Sequence, residues 1–301
     1  MSLKNAPEGF GNWFKKLVNL SDAEIENLSS ERTGVCNSCP ISDYGESKRC
    51  LASKGGCNCF IEAKTRAVDE ACPIGKWGDM LDDMNFKDTI RRIKAEVESR
   101  KTKYFWLLDP GHGGIKDGKY VTAPNKMYKF EDGLTIYEGE VNRQITNELI
   151  ELLSAAKIPY AVIPDWVEDT PLDDRVEKAN KLHAELGNCV YVSIHCNAGG
   201  GTGYEVYTSV GQTSSDAIAD VFYKEFEKVF PDAKMRSDTV DGDFDKEAHF
   251  YVLKNTTCPA VLTENFFMDN RADAEILSSS KEVAKIARAH FEAIKKISKD
   301  G

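Results

Sequence analysis

Residues 104–301 predict an α/β fold, a mostly parallel sheet flanked by helices, and two observations carry that reading. Short apolar runs alternate with longer stretches in which apolar residues recur at helical spacing. Three of the runs also end in a polar residue of a kind that holds ligands, and in open α/β sheets ligands gather beyond the C-terminal ends of strands.

Taken in order, "KYFWLLD" is an apolar strand, and "EGEVNRQITNELIELLSAA" is a helix with Val141, Ile145, Leu149 and Leu152 on one stripe. "PYAVIP" is a strand, "LDDRVEKANKLHAEL" a helix, and "CVYVSIH" and "GYEVYTS" two further strands. The helix "SSDAIADVFYKEFEKVF" aligns Ile218, Phe222, Phe226 and Val229 and leads to a final strand, "PAVLTE". A closing helix runs through Val283, Ile286, His290 and Ile294, where His290, like His183 earlier, fits a helix position and needs no further role.

Ahead of this lies a different grammar. Residues 1–80 are rich in Gly, Ser, Asn and Cys and read as a small module of their own. Its opening stretch allows an amphipathic helix through Trp13, Phe14, Leu17 and Val18 that packs on the Cys-rich segment, which has little core itself. Residues 81–103 space Phe86, Ile90, Ile93 and Val97 among charges and read as a linker helix. The expected division is therefore 1–80, 81–103 and 104–301.

The chain of 301 residues is 41% hydrophobic, enough for a sizeable core, and its net charge of −10 argues against nucleic acid as a partner and against adhesion to anionic surfaces. The N-terminus lacks the apolar core and cleavage site of a secretory signal, and no stretch approaches the ~20 apolar residues of a membrane helix. The expectation is synthesis in the cytoplasm without membrane insertion, with any action at the cell wall or periplasm following release or delivery by another agent.

"LLDPGHGG" surrounds His112 with Gly111, Gly113 and Gly114, leaving an accessible imidazole. "CVYVSIHCN" ends near His195 and "PAVLTEN" near Glu264. Two histidines and a carboxylate suit a catalytic zinc, which takes three protein ligands and leaves a fourth position for water. A separate carboxylate would take the proton of that water and pass it to the leaving amine. Spacing alone leaves the acids open: Glu131, Asp132, Glu138 and Glu140 are all candidates, and the last two point to different sides of a helix.

The blocks "LLDPGHGG", "YEGEVNRQITNELIELL", "DDRVEKAN", "VYVSIHCNAG", "GYEVYTS" and "FYVLKNTTCPAVLTENFFMDNRADAEIL" resemble, in order and spacing, the zinc-dependent N-acetylmuramoyl-L-alanine amidases of the Amidase_3 type. The resemblance covers residues 105 to about 277. It implies hydrolysis of the amide between N-acetylmuramic acid and L-alanine in peptidoglycan, with His112, Glu138 and His195 as ligands of one catalytic zinc and Glu264 as general base. It selects Glu138 over Glu140, because the family's glutamate precedes the Asn of its helix by four. The glycines are expected to clear space for the metal and a bulky sugar-peptide strand.

Two positions depart from the family pattern, the second of which bears on substrate fit. Cys196 stands where the family often has Ala, and along a strand it points opposite His195, so it reads as packing. Asn265-Phe266 follow Glu264 where the family frequently has Thr-Gly. His249 could reach the cleft as an oxyanion donor, although a structural role is the simpler reading.

The N-terminal cysteines Cys36, Cys39, Cys50, Cys57, Cys59 and Cys72 follow C-x2-C-x10-C-x6-C-x-C-x12-C. C-x2-C is a common half of a zinc site, and a reduced compartment favours a second, structural zinc over disulfides. Without an export signal, the amidase reading suggests a phage or prophage lysis enzyme, with a phage particle or holin-dependent release as partner. Two other classes compete: a virion or assembly protein that uses the fold to bind peptidoglycan, and a zinc peptidase acting on the stem peptide.

Overall fold

The computed structural model describes Cys39, residues 42–43 and 49–50, and residues 102–299 other than 117, 123–125, 166 and 241. Of the N-terminal cysteines only Cys39 and Cys50 fall among these. The Cys-rich module, its metal, its amphipathic helix and nearly all of the linker helix thus lie outside the described residues. A two-residue antiparallel pair, β1 (Ser42–Asp43) with β2 (Arg49–Cys50), stands by itself there.

From residue 105 onward the frame is a six-stranded sheet. Its strands are β3 (Phe105–Pro110), β8 (Tyr160–Val162), β9 (Cys189–Asn197), β10 (Tyr204–Thr208), β11 (Lys246–Glu247) and β12 (Ala260–Phe267), in the order β11-β10-β12-β9-β3-β8. β12, β9, β3 and β8 are parallel, whereas β10 runs antiparallel to β12 and carries β11 with it. The sheet is therefore mostly parallel with one reversed edge. Two small hairpins, β4 (Ile115–Lys116) with β5 (Lys119–Tyr120) and β6 (Met127–Lys129) with β7 (Thr135–Tyr137), fill the stretch between β3 and the first helix.

The helices are α1 (Glu138–Ala155), α2 (Leu172–Leu186), α3 (Ser214–Val229), α4 (Tyr251–Asn255), α5 (Arg271–Leu277) and α6 (Ser280–Lys299). α6 packs on α1 and α3, and α2 packs on α4. Side chains alternate across the sheet. Trp106 turns one way, its indole N–H donating to Ser298 Oγ on α6 at 3.0 Å and its ring meeting Phe222 of α3. Asp109 turns the other way, to Arg175 of α2. Helices thus cover both faces, and β3, buried at every position, opens with a continuous apolar run from Phe105 to Leu108.

The helical stripes fall where the periodicity puts them, with two adjustments. Leu153 rather than Leu152 joins Val141, Ile145 and Leu149 in the core of α1, and Phe230, just past α3, rather than Val229 is buried with Ile218, Phe222 and Phe226. α3 opens on a capping box between Thr213 and Asp216. His290 is buried in α6; its Nδ1 lies 2.9 Å from the Ile286 carbonyl and donates to it, so its Nε2 accepts from the Thr263 hydroxyl at 3.0 Å. His183 Nδ1 accepts the Cys189 N–H at 3.4 Å, closing α2 onto β9.

Candidate metal centre

Strand register assembles one side of the centre. Glu264 of β12 lies directly opposite His195 of β9, and Glu205 of β10 lies opposite Glu264 on its other flank. All three therefore point to one face. β12 bulges between Glu264 and Phe267, with Phe266 at φ +65°, which ends regular pairing just past Glu264. α1 supplies the other side: Glu138 is its first residue, and the helix N-terminus favours a carboxylate there.

His112 lies two residues beyond β3 in the left-handed region, at φ +64°. A non-glycine residue held there is strained, so its surroundings must over-determine it. Two buried arginines do so. Arg143 of α1 donates to the carbonyls of His112 (2.7 Å), Gly139 (3.0 Å) and Asp165 (3.1 Å). Arg175 of α2 donates to Asp109 at 2.5 Å and to the carbonyls of Thr170 (2.8 Å) and Pro110 (3.1 Å). Asp109 also takes the Ser193 hydroxyl at 2.7 Å, which ties the loop to β9.

The glycines do something other than expected. A Cβ on Gly111 would lie 2.1 Å from the His195 ring, so this glycine makes room for an imidazole. A Cβ on Gly113 would strike Val121 and the backbone at 167 and 169, and one on Gly114 would strike Glu140. The space is filled by the protein itself, which corrects the expectation that it is kept for a sugar-peptide strand.

Three donor atoms converge. His112 Nε2 lies 3.1 Å, and His195 Nδ1 2.9 Å, from Glu138 Oε1. Among the described residues this is the one group of three His, Cys, Asp or Glu side chains whose ligand atoms come close enough to share an ion. His112 Nε2 is buried without hydrogen-bond geometry to any partner, as a nitrogen meant for a metal would be. Two imidazoles and a carboxylate are also a donor set that zinc accepts. The residues fit the ion that the resemblance implies.

Charge follows the geometry. Burial would raise the Glu138 carboxyl, yet the neighbouring imidazoles of His112 and His195 outweigh it and hold it at about 2. Burial lowers His112, whereas for His195 the pull of Glu138 overcomes burial and raises it. Glu264 is the reverse of Glu138: burial pushes it up to about 8, with only His195 and Lys126 among the larger influences opposing. Its Oε2 is buried without a partner.

Glu264, His112, His195 and Asp109 line a half-open cleft of about 240 Å³, with Lys126 on its wall. Lys126 Nζ lies 4.0 Å from Glu138 Oε2. Leu172, Phe250 and Tyr251 add a partly exposed apolar side to the same cleft.

The other candidate acids lie elsewhere. Glu140 accepts the Ile115 N–H at 2.7 Å, Asp132 pairs with Arg271, and Glu131 is exposed. His249 is exposed and does not line the cleft. Cys196 and Cys258 are buried, with thiols pushed up by burial, as packing residues are.

Sequence reasoning passed over several residues that shape the centre. Arg175 shares a helical face with Ala179 and Leu182, and a charge in an apolar stripe is a readable signal. Asp109 inside "WLLDP" and Glu205 inside "GYEVYTS" are likewise acids within strands. Glu205 is buried and receives Tyr207, Arg236, Lys246 (3.2 Å) and Asn197 (3.4 Å).

The N-acetylmuramoyl-L-alanine amidase family Amidase_3 matches residues 107–296. The N-acetylmuramoyl-L-alanine amidase CwlM of Bacillus licheniformis is 34% identical over 186 residues, 61% of this chain and 64% of that protein. The endolysin of Bacillus phage SPP1 is 31% identical over 204 residues, 65% of this chain and 66% of that protein. Each match thus spans slightly less than two thirds of the relative. Among solved structures, the N-acetylmuramoyl-L-alanine amidase AmiC2 of Nostoc punctiforme superposes with a TM-score of 0.51 at 26% identity, covering 64% of this chain and 96% of that one.

Proposed function

The chain belongs to the Amidase_3 family of N-acetylmuramoyl-L-alanine amidases, and from that premise we propose that it hydrolyses the amide joining N-acetylmuramic acid to the L-alanine of the peptidoglycan stem. The observation that carries this reading is the convergence of His112 Nε2, His195 Nδ1 and Glu138 Oε1 in one cleft with a buried, unpartnered Glu264.

His112, Glu138 and His195 would hold a single catalytic zinc. A zinc ion bound there supplies Lewis acidity and a water that loses its proton near neutrality. Glu264, whose Oε2 is buried without a partner in the same cleft, would accept a proton from the attacking water and return it to the amine that leaves with L-alanine. Its burial keeps the carboxylate clear of bulk water and favours proton capture. Lys126 presents a positive charge to anionic parts of the stem peptide. Leu172, Phe250 and Tyr251 offer an apolar face to the sugar and alanine methyl groups.

The match to a phage endolysin supports a lysis enzyme, and delivery by a phage particle or release with a holin is proposed with it. Among the described residues no helix is long and apolar enough to cross a membrane. The proposed organisation keeps the 1–80 module, in which four of Cys36, Cys39, Cys50, Cys57, Cys59 and Cys72 hold a second, structural zinc, ahead of the linker at 81–103 and the catalytic domain at 104–301.

The test is digestion of purified peptidoglycan by the zinc-loaded chain, with and without chelator. Free stem peptides with new L-alanine amino termini, lost on chelation, are expected. Cleavage inside the peptide instead, or tight sacculus binding without release, overturns the proposal.

A further inference from the structure

A second polar group lies beside Glu264, on the flank away from His195. Glu205 of β10 faces Glu264 across the strand pair and is 2% exposed, yet it gathers more cations than its charge requires. Arg236 donates to its Oε1 through Nε, and Lys246 Nζ lies 3.2 Å from the same oxygen. The Tyr207 hydroxyl and the Asn197 amide donate to Oε2. One carboxylate balances one of the two cations. The surplus positive charge is held where it can be reached, with the side chains of Arg236 and Lys246 28% and 26% exposed.

Arg236 is fixed on every side but one. Its backbone N–H donates to the Tyr204 carbonyl at 3.0 Å, which holds it along the start of β10. Its guanidinium carbon stands 5.3 Å from the centre of the Phe267 ring, and its Nε is committed to Glu205. Among the described residues Nη1 and Nη2 make no hydrogen bond. A planar fork already ordered by an ion pair and a ring loses little freedom when a carboxylate takes its open N–H groups.

Distance selects the carboxylate. His195, Glu264 and Glu205 stand in one row on three adjacent strands, so Glu205 lies about 10 Å from His195. Two peptide residues reach about 7 Å, and an acid group borne by the second spans most of the rest. The row is continuous with the cleft, because Tyr207 meets Phe250 of the cleft wall at 5.2 Å between ring centres. We infer that Arg236, with Lys246 on the same glutamate, binds a free carboxylate on the second residue of the stem peptide and so selects stems in which that acid is not amidated. This rests on the proposed hydrolysis.

The experiment gives the full zinc-loaded chain two muramoyl tripeptides that differ only at the second residue, a free carboxylate in one and the matching carboxamide in the other. Release of the L-alanine amino terminus should favour the carboxylate by roughly 10–100-fold in kcat/KM, carried by KM. Arg236→Gln should bring that ratio close to one. Should it fail to fold, Arg236→Lys serves in its place, since it keeps a charge for Glu205 but lacks the fork. A wild-type ratio near one overturns the inference. So does a variant that slows both substrates by the same factor, the mark of a residue that only props Glu205 against Glu264. Calorimetry of the same tripeptides on the Glu264→Gln chain reads the subsite without turnover. If the wild-type chain cleaves neither, the proposed hydrolysis falls; equal affinity for both overturns the Arg236 assignment.

Discussion

Glu138 and Asp245 are both carboxylates withdrawn from water, and their proton affinities move in opposite directions. Burial acts on each in the same sense, upward. At Glu138 two imidazoles overrule it and the group sits at about 2; at Asp245 the facing Asp243 adds to it, against the Thr208 hydrogen bond, and the group rises to about 7. Asp109 is a third case, in which the Arg175 guanidinium and hydrogen bonds overcome burial and hold the carboxyl below its usual range. The neighbour, not the depth of burial, decides what a buried acid does. The same acid keeps its charge among imidazoles, is a structural anion beside arginine, and holds its proton more tightly beside another acid.

Replacing individual neighbours tests this. The largest effect is expected for Glu264→Gln, where turnover should fall by roughly 10²–10⁴ while the chain keeps one catalytic zinc. Peptidoglycan release and zinc content measured on one sample check it, and loss of the metal would mean that Glu264 is a ligand.

Arg175→Met comes next. It leaves Asp109 buried without its cation and should cost about 3–5 kcal/mol in denaturant unfolding. A cost under about 1 kcal/mol would show that Ser193 alone suffices for Asp109.

His290 is the counterpart of His195, a buried imidazole with no carboxylate beside it. Burial lowers it from 6.5 to about 4. Between those values the unfolded chain binds the proton and the folded chain does not, so stability falls as pH drops from 6.5 towards 4. The loss through this residue should reach about 3 kcal/mol. Urea melts of wild type and His290→Gln across that range check it; parallel pH curves would remove His290 as a contributor.

The smallest effect separates the two glutamates of α1. Glu140→Gln weakens one hydrogen bond, costing about 1 kcal/mol, and should leave zinc bound. Glu138→Gln should weaken zinc by more than about 10²-fold. Equal zinc loss in both variants would contradict the ligand assignment.

Much of this was legible before any coordinates. "KYFWLLD" and "CVYVSIH" announce buried strands because a parallel sheet covered on both faces needs apolar residues at every position. "LDDRVEKANKLHAEL" coincides with α2 from Leu172 to Leu186. His112, His195 and Glu264 stand out because each ends an apolar run of the sequence, although β9 continues past His195 to Asn197 and β12 past Glu264 to Phe267. Less legible was the choice between Glu138 and Glu140, which local spacing left open and family resemblance had to make. The role of the glycines was misread, because the atoms that fill their missing side chains come from the His195 ring, from Val121 and residues 167 and 169, and from Glu140.

Chain order, periodicity and residue type determined by themselves that residues 104–301 alternate strand and helix and that imidazoles and an acid follow apolar runs. These are short-range properties, set within one or two turns or a few extended residues. Tertiary structure alone decided that Glu264 stands between His195 and Glu205, that Arg143 and Arg175 clamp the His112 loop, and that Asp243 meets Asp245. Each of those pairings joins side chains through strand register or helix packing, and such contacts form only when the whole sheet closes.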